Sequence, residues 1–285
     1  MADISNIKSA ILKLKKNHSF ARLLPGLSIL FIFILVALLS PYLPLQDPLK
    51  ADPKVKNQPP TLEHFCGTDP YGMDIFSRVL IAARLDFLIT VLCVLLGVFI
   101  GAPLGAAAGY FGGIIETIIG RLTEVIQSFP FMLFAMMLRI VFGQSILSLV
   151  WVIAVRIAPF YIKLVRSIVK PLQDADYIQA AKVSGQTSLQ ILLRHLIPNA
   201  FPAIVSQFTI SAAQAIRLLS GLSFLGLGIS IPTPEWGSMI QIGAGWMVFG
   251  KWWSSFFPGL ALFITVWVLT EISEKIESIY TLQEQ

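Results

Sequence analysis

Residues 174–202 read Asp174-Ala-Asp-Tyr-Ile-Gln-Ala-Ala-Lys-Val-Ser-Gly-Gln-Thr-Ser-Leu-Gln-Ile-Leu-Leu-Arg-His-Leu-Ile-Pro-Asn-Ala-Phe-Pro202, a polar island in a chain that is otherwise almost continuously apolar. Its parts describe two short helices set at an angle. Asp176 is placed to cap the first, with Gln179 three residues on completing a capping box, and Gly185 is its natural stop. Thr187 restarts the chain as a second cap, again with a glutamine, Gln190, at the third position. Pro198 is expected to end that helix at about Ile197, because the residue before a proline is pushed out of the helical region. The small pair Ala180 and Ala181 leaves a shallow helix face that another protein surface can approach closely. With Lys163, Arg166, Lys170, Lys182 and Arg194 around it, a helix–glycine–helix unit between membrane spans is expected to face the cytoplasm.

Composition sets the frame outside this island. Of 285 residues, 55% are hydrophobic and only 13% charged, about half the charged share of a soluble domain. The mean hydropathy is +0.76. Apolar runs of the roughly 20 residues needed to cross a bilayer recur along the chain. The net charge of +5 therefore reads as topology and not as a nucleic-acid surface. Cys66 lies in a loop and Cys93 inside an apolar run, a poor disulfide pair and no metal framework; His64 beside Cys66 makes two ligands at most.

Taken in order, residues 1–23 carry Ile4, Ile7, Ile11 and Leu14 on one helical face with lysines off it, the pattern of an amphipathic segment lying on the membrane. It is followed by too long an apolar run to be a cleaved signal peptide. Residues 24–84 comprise a first span, about Leu24 to Leu45, and an external loop in which Asp69, Asp74 and Arg78 form an ion-paired turn. Residues 85–272 form the core. Its second span, about Leu85 to Tyr110, carries glycines at 97, 101, 105 and 109, a small-residue stripe that lets another helix approach closely. The third, about Ile114 to Phe142, is interrupted by Pro130. It carries Glu116 near the cytoplasmic edge and an Arg121–Glu124 pair that, with Gln127, is expected to face the protein interior or the pathway. Arg139, near the other end, is expected to snorkel outward. The fourth span, about Ile146 to Val165, holds Arg156 too near its middle to snorkel, which points it into a cavity. The fifth, about Ala200 to Leu219, bears a polar stripe that includes Gln207 and Gln214. Glu124, Gln127, Arg156, Gln207 and Gln214 are thus the candidate pathway groups. An irregular loop over 222–237 follows, with Trp236, Trp246, Trp252 and Trp253 as an aromatic belt at the interface. The last span, about Phe256 to Thr270, leads to an acidic cytoplasmic tail over 273–285. Placing the 21 Lys and Arg residues on this topology puts twelve inside, six outside and three within spans, with both termini inside.

Four motifs resemble one family. Gln179, Ala180, Ala181, Gly185, Ile197 and Pro198 are similar to the EAA loop of ABC-importer permeases, with Gln179 in place of the family's Glu. The run Gly67, Thr68, Asp69, Gly72, Asp74, Ser77 and Arg78 looks like the external signature of the dipeptide, oligopeptide and nickel subtype, with Met73 in place of an arginine. Gly109-Tyr-Phe-Gly-Gly113 and the loop from Leu222 to Gly237 resemble the same permeases. The resemblance implies an all-α, six-span type I importer permease with a cytoplasmic coupling helix, in a bacterial inner membrane. It implies a second permease subunit as heterodimer partner, two ATPase subunits and an extracytoplasmic substrate-binding protein. Tyr177, Gln179, Ala180, Ala181, Gly185, Arg194 and Pro198 would contact the ATPase. Substrates in the family are di- and oligopeptides, and in some members nickel or other metal chelates.

The chemistry missing from the chain agrees. It has no Gly-x-x-x-x-Gly-Lys phosphate loop, no His-Glu-x-x-His and no nucleophile elbow, so neither cofactor nor metal nor catalytic residue is expected. A secondary transporter would show inverted repeats with broken helices at the midplane, and no matching halves are visible. A docking turn without a partner, a plain interfacial hairpin, is the remaining alternative for 174–198.

Overall fold

The computed structural model describes residues 25–143 and 145–281, and of 277–281 the backbone alone. The amphipathic segment expected over 1–23 lies outside the described residues, as do the last four residues of the tail. The described chain is helical, with one isolated antiparallel bridge between Thr68 and Asp74. Its helices are α1 (Pro25–Tyr42), α2 (Ile75–Phe111), α3 (Gly113–Ser128), α4 (Phe131–Phe142), α5 (Ile146–Leu172), α6 (Asp176–Val183), α7 (Ser188–Ile191), α8 (Ile197–Phe224), α9 (Trp236–Met247) and α10 (Trp253–Thr281). A π turn over Leu192–Leu196 joins α7 to α8, so the helix is continuous from Ser188 to Phe224.

Five of these segments are long and apolar enough to cross a membrane: α1, α2, α5, the α7–α8 helix and α10. The sixth expected span is not straight. Phe129 precedes Pro130 and is held in extended conformation (φ −76°, ψ 136°), and α3 and α4 meet there at a bend of 100°. Span ends also shift. The second helix starts at Ile75, ten residues before the expected Leu85, because the Asp74 carboxylate caps it by accepting from the Ser77 N–H at 2.8 Å. The last runs from Trp253 to Thr281, so residues 273–281 of the expected tail continue the helix.

The bundle is built on α2 and α5, the most extensively packed pair of helices. The expected glycine stripe is the seam. A methyl group on Gly101 would lie 2.6 Å from the Ala158 carbonyl oxygen, one on Gly105 2.5 Å from that of Ile162, and one on Gly97 2.9 Å from the Ile157 side chain. Backbone thus meets backbone, as small residues allow where lipid provides no hydrophobic drive for helices to associate. Around the seam, Cys93, Ile153, Ile157, Tyr161, Val165 and Leu219 form a continuous buried core reaching down to Ile178 and Ala181 of α6. A second cluster, with Ile75, Ala83, Ile216, Trp236 and Trp253, closes the end opposite α6.

Gly105→Ala is expected to weaken the α2–α5 seam by about 1–3 kcal/mol, the usual cost of overpacking. Gly120→Ala in α3, where an added methyl meets nothing within 4 Å, is the matched control. Thermal unfolding of the two variants in detergent checks this: a lower midpoint for Gly105→Ala and none for Gly120→Ala.

Candidate functional site

The turn between α5 and α8 is a compact hairpin closed at the joint between its two short helices. α6 ends in a Schellman motif: Gly185 stands at φ +77°, its N–H donates to the Lys182 carbonyl at 3.1 Å, and the Gln186 N–H reaches the Ala181 carbonyl at 3.1 Å. Thr187 then opens α7 with a complete capping box, its Oγ1 accepting from the Gln190 N–H at 3.3 Å and its own N–H donating to Gln190 Oε1 at 2.9 Å. The first helix differs from expectation. Ala175, and not Asp176, is the N-cap, no side chain caps it, and Gln179 Nε2 instead donates to the Gln173 carbonyl at 3.4 Å. Asp176 is already in the first turn, where its charge still complements the helix dipole.

Pro198 does not end the second helix. Having no N–H, and a ring that crowds the carbonyl four residues back, it is accommodated by the π turn before it, in which the Ile197 N–H donates to the Leu192 carbonyl five residues back. Ala180 is exposed and Ala181 buried, so the small pair is split between the outer face of α6 and its support. Ile178 and Ala181 seat α6 on the core, while Lys182 Nζ lies 5.6 Å from the Tyr110 ring centroid at the end of α2. His195 Nε2 hydrogen-bonds Gln186 Oε1 at 2.9 Å, and Asn199 Nδ2 donates to the Tyr177 hydroxyl at 3.5 Å, locking α6 to the start of α8. What the turn offers outward is Tyr177, Gln179, Ala180, Gly185 and Arg194, with three apolar side chains sequence reasoning passed over: Val183 (89% exposed), Leu189 and Leu193.

The expected pathway residues separate into two groups. Arg121 Nη1 and Glu124 Oε2 do pair, at 2.8 Å, but on the exposed face of α3 and not in the interior of this chain. Glu116 on the same helix is held by Arg166 Nε and Lys170 Nζ of α5, each at 2.7 Å, and Gln127 Oε1 accepts from Lys163 Nζ. Arg156 and Gln214, by contrast, line one cleft between α5 and α8, and Arg217, one turn beyond Gln214, lines it with them. Gln207 is half-buried two turns nearer the hairpin on the same helix. Arg217 was missed although it lies inside the apolar run of the fifth span; an unpaired arginine there is itself the signal.

The end opposite the hairpin corrects more of the reading. Arg78 is 1% exposed; its Nη1 donates to the carbonyls of Pro48 (2.6 Å) and Pro232 (3.1 Å), and its Nε lies 3.7 Å from Asp69 Oδ2. Asp74 does not join that pair but takes His64 Nδ1 at 2.9 Å, so His64 is held by a carboxylate and not poised with Cys66 for a metal. Burial pushes the Asp69 carboxyl above its usual range, opposed chiefly by the Met73 N–H and the Arg78 guanidinium. Arg139 does not snorkel. It is buried, and it donates to the carbonyls of Ser145 (2.6 Å) and Gly228 (3.0 Å) and to Ser148 Oγ (2.7 Å), tying α4 to the loop before α9. Trp236 and Trp253 are not belt residues: both are buried, Trp236 Nε1 donating to the Val79 carbonyl at 3.0 Å and Trp253 Nε1 to that of Thr68 at 3.2 Å. Trp246 and Trp252 are exposed, as expected. The sequence reading also passed over Asp86, fully buried in α2, which accepts from the Trp236 N–H at 3.1 Å, and Glu235, whose carboxylate caps α9 through the Gly237 and Ser238 N–H groups, both at 2.7 Å. An acid inside the second apolar run was the available clue to the first.

An all-helical chain of several spans, interrupted by a rigid helical hairpin with an outward apolar knob, has the build of a membrane permease subunit. The chain belongs to the family described as the binding-protein-dependent transport system inner membrane component, whose model matches residues 101–276. It is 34% identical over 263 residues to the dipeptide transport system permease protein DppC of Alkalihalophilus pseudofirmus, covering 92% of this chain and 85% of that protein. It is 32% identical to the probable D,D-dipeptide transport system permease protein DdpC of Escherichia coli K12, covering 83% and 79%. With the glutathione transport system permease protein GsiD of Escherichia coli O6:K15:H31 it shares 37% identity over 74% of this chain and 69% of that one. The fold is shared with the inward-facing MetNI methionine ABC transporter, at TM-score 0.51 and 19% identity over 68% of this chain and 93% of that one. It is shared also with an amino acid ABC transporter, at TM-score 0.51 and 15% identity over 70% and 92%.

The half-buried Cys66 near Asp74 yields a chemical test. Burial, and then the Asp74 carboxylate, push the Cys66 thiol up to about 11, so thiolate is scarce at neutral pH and grows as pH rises. Against Leu62→Cys, at the most exposed position of the same loop, Cys66 is expected to react with maleimide about a hundredfold more slowly at pH 7, accelerating about tenfold per pH unit into the alkaline range. Timed labelling with mass detection measures both rates.

Proposed function

We propose that this chain is one of two non-identical permease subunits of an ATP-driven importer of di- and oligopeptides, lying in a bacterial inner membrane with both termini and α6 in the cytoplasm. The observation that carries this reading is the sustained similarity to dipeptide permeases along nearly the whole chain; the outward knob of α6 supports it. The second permease completes the pathway, two ATPase subunits dock on the hairpins, and an extracytoplasmic binding protein delivers peptide at the opposite end. Tyr177, Gln179, Ala180, Gly185 and Arg194 meet the ATPase, with Ala181 and Pro198 shaping the hairpin behind them. Closure of the ATPase dimer around ATP pushes on α6. Ile178 and Ala181 pass the displacement to the core at the foot of α5, and the spans tilt to change which side is open. Glu124, Gln127, Arg156, Gln207 and Gln214 belong to the face that closes against the second permease.

Two measurements test this. In a background free of Cys66 and Cys93, Val183→Cys should resist membrane-impermeant maleimide in intact cells and react in inverted vesicles; labelling from outside intact cells would overturn the topology. Gly185→Arg should insert normally yet lose its ATPases on co-purification. No neighbour lies within 4 Å of an added Cβ there, so the left-handed backbone costs only about 1 kcal/mol while the new charge and bulk project at the docking face. Gln179→Glu, which restores the acid of the EAA pattern, should leave association intact. Normal co-purification and transport by Gly185→Arg would remove α6 from the coupling role.

A further inference from the structure

Arg156 and Arg217 stand on different helices and line one cleft of about 180 Å³ together with Ile157, Phe160, Gln214 and Leu218. α5 runs toward the hairpin and α8 away from it, so their far ends lie on the same side. Arg156 is ten residues from the start of α5, about 15 Å, and Arg217 seven residues from the end of α8, about 10 Å. The two guanidiniums therefore sit at similar depth within the spans. Neither has a carboxylate partner among the described residues. Arg156 Nη1 is buried without any hydrogen-bond partner, and its guanidinium carbon lies 5.9 Å from the Phe160 ring centroid. Arginine keeps its charge at any accessible pH, so it cannot escape the cost of this position by losing a proton. Two permanent cations, Arg156 with an idle buried donor and Arg217 with its side chain exposed, line the cleft beside an amide that can both donate and accept.

Resting on the reading above as a peptide importer, we infer that Arg156 and Arg217, with Gln214, form a carboxylate-binding subsite that receives the C-terminal carboxylate of the peptide in transit. Paired N–H donors of a guanidinium match the two oxygens of a carboxylate, giving a charge-assisted bidentate bond. The cleft is smaller than the roughly 300–1,000 Å³ of a pocket that encloses a whole small ligand. It accommodates one end of the substrate and leaves the side chains free, which suits an importer that must accept many sequences sharing one terminus.

The test uses the complete permease–ATPase complex in nanodiscs and measures equilibrium binding of radiolabelled alanyl-phenylalanine and of its C-terminal amide, with uptake by the full importer, binding protein included, followed in parallel. The native complex is expected to bind the acid over the amide by about tenfold or more. The double variant R156Q/R217Q should lose that preference, binding acid and amide alike, and R156K/R217K should retain part of it. An unchanged preference in R156Q/R217Q overturns the inference, as does the absence of any preference in the native complex. If R156Q/R217Q loses the second permease subunit on purification, the arginines pair with a carboxylate of that subunit, which also overturns it. Uptake of dipeptide by the native importer in any of these cases leaves the import reading standing; failure of that uptake removes both.

Discussion

Everything in this subunit is referred to the contact between α2 and α5. In lipid, two apolar helices gain little from hiding from solvent, so what holds them is how closely their surfaces fit. Gly97, Gly101 and Gly105 remove the side chains that would hold α2 away, and the backbone carbonyls of Ala158 and Ile162 occupy the space so released. Gly109 continues the line to Val169, almost at the end of α5. The seam therefore reaches the residues from which the hairpin departs, and the position of α6 is inherited from it.

Which helix packs on the glycine stripe was not legible, but that one packs there closely was, because glycines at a four-residue spacing in a membrane helix admit close approach. So were the second cap at Thr187 and the left-handed stop at Gly185, since both depend on neighbours within a few residues. What escaped the sequence depended on partners far along the chain. Arg139 lies near a span end, where snorkelling is cheap, and nothing local reveals that the Gly228 carbonyl is waiting 3.0 Å away. Trp236 and Trp253 looked like interface residues by type, but the carbonyls of Val79 and Thr68 give their indole N–H groups partners inside. Pro198 read as a terminator by a rule that holds for ideal α-helix; the chain keeps its helix by widening one turn instead. The site was thus readable where it is made of local turns and unreadable where it is assembled across helices, as with Arg156 and Arg217.

The α3–α4 pair has a different character from the rest. α3 buries one residue, Thr123, and leaves Ile114, Ile118 and Leu122 uncovered, while its polar ties to α5 gather near its beginning (Glu116) and its end (Gln127). The bend is concentrated at Phe129 and Pro130, where the backbone is extended and the helix interrupted. A helix tied by polar contacts and bent at one proline is a different mechanical object from the glycine-sealed α2–α5 block beside it.

The closed caps around Gly185 have a consequence for how force passes through the hairpin. A strut transmits a push only as far as it resists bending, and frayed helix ends are where short helices yield. Here the break between α6 and α7 is four residues long, and hydrogen bonds from Gly185, Gln186 and Thr187 close it on both sides. That joint leaves little room to yield, and in the coupling role proposed above a push on the outer surface would reach the feet of the spans with little loss.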